Sequence, residues 1–175
     1  MLSVNSFTVP KPGVATRSRL LWFAAAALWL GSAGIGAAAE CRHVHGHFDE
    51  QAVAPPACTS PVGVCTAGSY SGGIRGEFMT TVSYFNTATP NFPDTFVGLF
   101  NADSTIHARV GTRVGDLMIK NAGAFHVAGD GEILDLQTIV GGTGALTGAT
   151  GTLVATGTFV SGVGQSEYVG TICLP

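Results

Sequence analysis

Charge is scarce in this sequence, and positive charge is scarcer than negative. Of 175 residues, eleven are Asp or Glu and only eight are Lys or Arg. Nucleic-acid binding needs clustered Lys and Arg to neutralise phosphates, whereas the basic residues here are scattered along the chain. The composition therefore argues against nucleic acid as a partner.

Helical patterns and several catalytic motifs are absent as well. After residue 40, no stretch carries apolar residues at helical spacing for more than one turn. There is no G-x-S-x-G motif of serine hydrolases, and no lysine follows a glycine-rich loop as it does in phosphate-binding loops. We therefore expect that the protein needs no cofactor and is not a hydrolase with a serine or cysteine nucleophile.

The first forty residues form a candidate export signal. Three basic residues precede the unbroken apolar run Leu20–Leu30, and Ala37-Ala38-Ala39 matches the small-residue rule for signal cleavage. An uncleaved anchor is the alternative, because the apolar stretch approaches the roughly 17 residues that span a bilayer. We predict that 1–39 is a cleaved signal peptide and that 40–175 is a single secreted or otherwise extracytoplasmic domain, with no membrane attachment after cleavage.

Cysteines are few, but their number is even and all of them follow the leader. Four cysteines allow three pairings, and an exported chain favours disulfides. Cys58 and Cys65 enclose a short loop, which leaves Cys41 to pair with Cys173 if the first and last strands are neighbours. Zinc binding is the alternative, although six residues between Cys58 and Cys65 exceed the usual spacing of structural zinc ligands.

Alternation of apolar and polar residues, interrupted by Gly, Asn, Asp and Pro, is typical of short antiparallel strands. We predict a turn at 101–103, a bulge at 121–123 and a long, disulfide-pinned loop at 51–72. This pattern favours an all-β fold, an eight-stranded antiparallel up-and-down barrel of the calycin-like type. The eight predicted strands are 42–50, 73–85, 95–101, 104–110, 114–127, 131–140, 150–160 and 165–174.

A glycine-rich segment carries a resemblance to a known family. Residues 141–151 read G-G-T-G-A-L-T-G-A-T-G, which resembles the G-G-T-G-x-[FL]-x-G-A-x-G segment of the allene oxide cyclase and dirigent barrel superfamily. The last strand, at 167–172, looks like that of bacterial members. The resemblance implies an eight-stranded barrel whose interior steers a reactive intermediate, and it leaves a homo-oligomer open because plant proteins of this type form oligomers.

Alternate residues of a small barrel face its lumen, so parity selects candidate ligand contacts. Strand 150–160 separates into an apolar face and a threonine face, and we assign the apolar face to the interior. The same rule applied to the other strands gives a nearly uncharged interior, which includes Val44, Phe48, Leu134 and Leu136. The ligand-binding candidates on this basis are Tyr84, Tyr168, Phe78, Phe159 and Leu153.

Three acids are the candidates for catalysis. Glu132, at a strand end, has the inward parity. Asp135 and Glu77 have the outward parity, but one inserted residue would turn either of them inward. Acid–base catalysis on a bound ligand requires that at least one of these carboxyl groups faces the lumen.

Three histidines alternate along the first predicted strand. His43, His45 and His47 would share one face, and imidazoles so arranged can bind zinc or copper. The alternative is an outward strand face that is rich in histidine and binds no metal. We expect no metal, with these three residues as the candidates if there is one.

Three functions remain open on this evidence. The favoured hypothesis is a secreted barrel that binds a small apolar ligand in its lumen. The first alternative is an isomerase or cyclase of the allene oxide cyclase and dirigent type. The second is a non-catalytic secreted structural or interaction protein.

Overall fold

Eight antiparallel strands follow one another around a closed barrel, in which β1 also pairs with β8. The computed structural model describes residues 39–87, 97–127 and 130–175, which lie in one compact unit. One short 3₁₀ turn, Gly144–Leu146, interrupts the strands. The strands are β1 Glu40–Ala52, β2 Cys65–Gly72, β3 Arg75–Asn86, β4 Val97–Val110, β5 Arg113–His126, β6 Glu132–Gly142, β7 Thr150–Val160 and β8 Val163–Leu174.

The predicted barrel is confirmed, but two of its strands were misplaced. β4 runs without a break through 101–103, where a turn was predicted. β2 occupies the second half of 51–72, which was predicted to be loop. Its sequence is rich in Gly and Ser, so it has low strand propensity, and pairing with β1 and β3 supplies the order. The predicted signal peptide, up to residue 38, lies outside the described residues.

Both predicted disulfides are present. Cys41 and Cys173 face each other across the β1–β8 seam and are bonded. The β1–β2 connection spans 53–64, and the Cys58–Cys65 bond closes its second half; no described cysteine is free. Ser60 in this loop donates a 2.6 Å hydrogen bond to the carbonyl of Val82, so the loop is held against β3. In the part of the chain described, no helix is long and apolar enough to cross a membrane.

The lower end of the barrel, where β1 begins and β8 ends, is filled by apolar side chains. The glycine-rich segment forms the β6–β7 connection here and inserts Leu146 and Ala149, which are fully buried. Gly144 has a φ of +56° in this turn, which favours glycine. The segment that carries the family resemblance is thus a structural plug.

Tyr168 belongs to the same buried apolar cluster as Leu146 and Ala149. Its hydroxyl accepts a 2.8 Å hydrogen bond from the backbone N–H of Ile74 and lies 3.1 Å from the carbonyl oxygens of Ser71 and Ile74. A buried tyrosine hydroxyl thereby satisfies the backbone of the β2–β3 turn.

Two bulges determine which residues face the lumen. Ser83 is an extra residue between the pairs Val82–Ala102 and Tyr84–Asn101, so Tyr84 points outward and Phe85 faces in. Val140 is a second extra residue, opposite the Met118–Ile119 step. No irregularity occurs at 121–123, so the bulge predicted there is wrong.

Removal of the Tyr168 hydroxyl tests its role in the fold. We expect Tyr168→Phe to lower the free energy of unfolding by about 1–3 kcal/mol, because a buried N–H loses its acceptor. Urea denaturation measures the change. Tyr84→Phe is the matched control, since Tyr84 is 48% exposed, and equal losses in the two variants would contradict the assignment.

A lumenal cavity with two carboxyl groups

A cavity of about 300 Å³ occupies the upper half of the lumen, above the apolar plug. Its wall includes six phenylalanines and Tyr70. At the rim, the side chains of Val64, Phe85 and Val127 are partly exposed, so the cavity reaches the surface at this end. Its polar lining consists of Glu50, Thr66, Tyr70, Thr80, Asn121, Asp135, Gln137 and Ser166.

A chain of hydrogen bonds fixes the orientation of Asp135. The Tyr70 hydroxyl donates to Oε1 of Gln137 at 3.0 Å, and Nε2 of Gln137 donates to Oδ2 of Asp135 at 3.0 Å. Burial raises the pKa of Tyr70 far above its usual value, so the phenol remains a donor. Oδ2 of Asp135 must therefore accept, and a proton on this carboxyl would reside on Oδ1.

The interior also changes the acidity of two carboxyls. Burial raises the pKa of Asp135 from 3.8 to about 6, and the hydrogen bond from Gln137 offsets part of this effect. Burial likewise raises the pKa of Glu50; the neighbouring Thr66 side chain offsets part of this effect, and the charge of Asp135 adds to the increase. Both groups are therefore easier to protonate than exposed carboxyls.

Glu50 is a lumenal acid that the sequence analysis missed. It lies two residues beyond Phe48 on the inward face of β1 and is 8% exposed. A Cβ atom added at Gly164 would lie 2.8 Å from Oε1 of Glu50, so glycine on β8 leaves space for this carboxyl. The parity of Val44 and Phe48 was the signal that could have identified it.

Three buried oxygen atoms of the cavity lining have no hydrogen-bond partner in the described protein. They are Oγ1 of Thr66, Oδ1 of Asn121 and Oδ1 of Asp135. The amide of Asn121 is itself anchored, since Nδ2 donates to Oγ of Ser104 at 2.8 Å and Ser104 contacts Thr80 at 2.6 Å. Such atoms are costly to bury unless another molecule bonds to them.

The structure divides the predicted ligand contacts. Phe78 and Phe159 line the cavity. Leu153 and Tyr168 are buried but do not belong to its lining, and the Tyr168 hydroxyl is used by backbone groups. Tyr84 is outside because of the bulge at Ser83, so its predicted inward position is wrong.

The three predicted acids also separate. Asp135 is inside and only 6% exposed, whereas Leu134 and Leu136, assigned inward with the apolar set, are 52% and 45% exposed. Glu132 shares the outward face with those leucines, so its predicted inward parity is wrong. It lies along a wide outer depression of about 1230 Å³. Glu77 is exposed as its parity predicted.

The three candidate histidines share the exposed face of β1. His47 lies 2.9 Å from the Ser71 hydroxyl, and His43 lies 3.3 Å from that of Thr171. Across the described ranges, no group of three or more His, Cys, Asp or Glu side chains is placed to hold a metal ion.

Comparison with known proteins gives few matches. No protein-family model matches the chain, and no curated protein matches it. Among solved structures, the pterocarpan synthase dirigent protein GePTS1 is 18% identical with a TM-score of 0.32, covering 78% of this chain and 89% of that one. The corresponding protein PsPTS1 is 18% identical with a TM-score of 0.31, covering 77% and 96%. Membership of the allene oxide cyclase and dirigent superfamily stays a prediction.

The raised pKa of Asp135 predicts how stability depends on pH. Between pH 4 and 7 the folded state binds more protons than the unfolded state, so the free energy of unfolding falls as pH rises, on the order of 2–3 kcal/mol from Asp135. Glu50 acts in the same direction. The lowered pKa values of Asp116 and Asp130 act below this range.

Urea titrations at several pH values measure this dependence. We expect Asp135→Asn to remove most of the fall, and Asp103→Asn, at an exposed position paired with Lys120, to leave it unchanged. Stability that rises over the same range in the unmodified protein would contradict the assignment.

Proposed function

We propose that this chain is an extracytoplasmic barrel that binds a small, largely apolar molecule in its lumen. The observation that carries the proposal is the cavity, where aromatic walls surround buried polar atoms that lack partners. The leader-like N-terminal sequence and the two disulfides support a location outside the cytoplasm.

The cavity has the ordinary properties of a small-molecule site. Such sites are concave, mostly apolar and furnished with a few positioned polar groups. The apolar and polar residues of the lining have different roles. Aromatic rings on β1, β3, β4, β5 and β7 provide contact area, while Asn121 and Asp135 would orient the ligand by hydrogen bonds. A molecule with an apolar body and one hydrogen-bonding end matches both.

A second candidate function is acid–base isomerisation or cyclisation of the bound molecule. Asp135 favours it, because its Oδ1 atom is unpartnered and its pKa lies near neutrality. Ionised Asp135 would remove a proton from carbon through Oδ1, while protonated Glu50 would donate a proton to a ligand oxygen. The net proton count of the ligand is then unchanged, and solvent returns the two carboxyls to their starting states.

Occlusion of the cavity tests ligand binding. Ala102 is buried in the cavity wall, and we expect Ala102→Phe to abolish binding of the neutral fluorescent probe N-phenyl-1-naphthylamine by filling its space. Fluorescence titration measures the affinity, and circular dichroism verifies the fold. Ala122→Phe, which places the same ring on the exposed face of β5, should bind like the unmodified protein. Undiminished binding by Ala102→Phe, or no binding by any form, would refute lumenal binding.

Proton abstraction from 5-nitrobenzisoxazole tests the second candidate. A carboxylate base removes its C–H proton as the ring N–O bond breaks, so no co-reactant is needed. We expect a rate that rises with pH to a plateau with an apparent pKa of about 6 and that falls at least about tenfold in Asp135→Asn. Asp103→Asn serves as the control, and equal rates in the two variants would exclude Asp135 as the base.

A further inference from the structure

We propose that the lumen selects organic cations, namely molecules with an aromatic or aliphatic body and a protonated amine, in which the ammonium group is bound by Asp135 and Glu50. This inference rests on the proposed lumenal binding and not on the isomerase alternative. It names the charge of the ligand, which the apolar walls alone do not determine.

The unpartnered atoms of the cavity are acceptors. Oδ1 of Asn121 and an ionised Oδ1 of Asp135 can only accept hydrogen bonds, and the Thr66 hydroxyl can accept one as well. In the structure Nδ2 of Asn121 donates to Ser104, which leaves Oδ1 as the unpartnered atom of this amide. Two of the three unpartnered atoms can therefore be satisfied only by a donor, and an ammonium group brings three donors, whereas an alcohol brings one.

The cavity also lacks positive charge. Its described lining contains two carboxyls, Glu50 and Asp135, but no Lys, Arg or His. Buried carboxylates are ordinarily paired with a cation, because unpaired charge in an apolar site is strongly unfavourable. An ammonium ion supplies the missing partner and also relieves the repulsion that the charge of Asp135 exerts on Glu50.

Aromatic rings surround the same space. Phe48 stacks on Tyr70 with ring centroids 4.7 Å apart, and Phe78 meets both rings edge-on at 5.7 and 5.1 Å. Ring faces attract cations, most strongly where water is excluded. Carboxyls combined with aromatic rings favour an amine over a carboxylic acid or a phosphate ester.

Few other charged groups lie close enough to the cavity to influence the binding of a cation. Among the described residues, the titratable groups that line the cavity are Glu50 on β1, Tyr70 on β2 and Asp135 on β6. Tyr168 on β8 lies below it, and Arg42, whose Nε is buried, is not part of the lining. Both phenols stay neutral because burial raises their pKa values. The described parts of β3, β4, β5 and β7 contribute no charged side chain to the cavity. The part of the pH dependence of cation binding that is lost in Asp135→Asn and Glu50→Gln therefore reports on the two carboxyls.

The test compares three ligands of nearly one shape: 1-naphthylmethylamine, 1-naphthalenemethanol and 1-naphthoate. Their affinities are measured by isothermal titration calorimetry at pH 8 and pH 5. At pH 8 we expect the amine to bind at least about tenfold more tightly than the alcohol, and the naphthoate to bind worst. At pH 5 the amine is still protonated but Asp135 is not ionised, so the amine's advantage should largely disappear.

Isosteric variants assign the effect. Asp135→Asn and Glu50→Gln should each reduce the ratio of amine to alcohol affinity at pH 8, while the alcohol's own affinity shows that the cavity is intact. Asp103→Asn removes the same charge from the outer surface and should leave the ratio unchanged. Equal binding of amine and alcohol by the unmodified protein would overturn cation selectivity alone. Failure of all three ligands and of the neutral fluorescent probe would overturn lumenal binding as well.

Discussion

Closure of the sheet between β1 and β8 is the constraint on which the rest of the structure depends. Twelve residues of β1, from Glu40 to Gln51, pair with β8, and the Cys41–Cys173 bond lies within that ladder. Once the sheet is closed, one parity of every strand must face an enclosed space of fixed size. Closure also makes neighbours of residues on the first and last strands. Glu50 on β1 pairs with Gly164 on β8, a contact that an open sheet would lack.

The two ends of this enclosed space have opposite properties for a physical reason. Below, the turn 143–149 inserts Leu146 and Ala149, and Tyr168 satisfies the backbone of the β2–β3 turn, so apolar packing is complete. Above, the inward positions of β5 and β6 include Asn121, Asp135 and Gln137. Polar residues that are rare in a packed core therefore lie in the upper half of the lumen, which contains the cavity.

The fold was largely predictable because the same apolar–polar alternation recurs in most of the strands. The site was not, because one inserted residue in a strand changes which side chains face the lumen. Alternation over many strands indicated a barrel even though β2 was missed and β4 was divided. The extra residue Ser83 moved Tyr84 from the predicted lumen to the surface. Leu134 and Leu136 were assigned inward because they are apolar, although the outer face of β6 carries them. Asp135 was therefore placed on the wrong face, and Glu50 was overlooked.

The network around Asp135 links stability to function through one proton. Tyr70 orients Gln137, and Gln137 donates a hydrogen bond to Oδ2, so the free lone pairs or the proton of this carboxyl must be presented at Oδ1. Ionising the group without a partner works against folding, because burial disfavours its charge. A bound cation would offset that penalty and raise the stability of the folded barrel by mass action. Cation binding, carboxyl ionisation and folding are thus coupled equilibria. The ionised carboxyls destabilise the folded barrel when the cavity is empty, and a bound cation would remove that destabilisation.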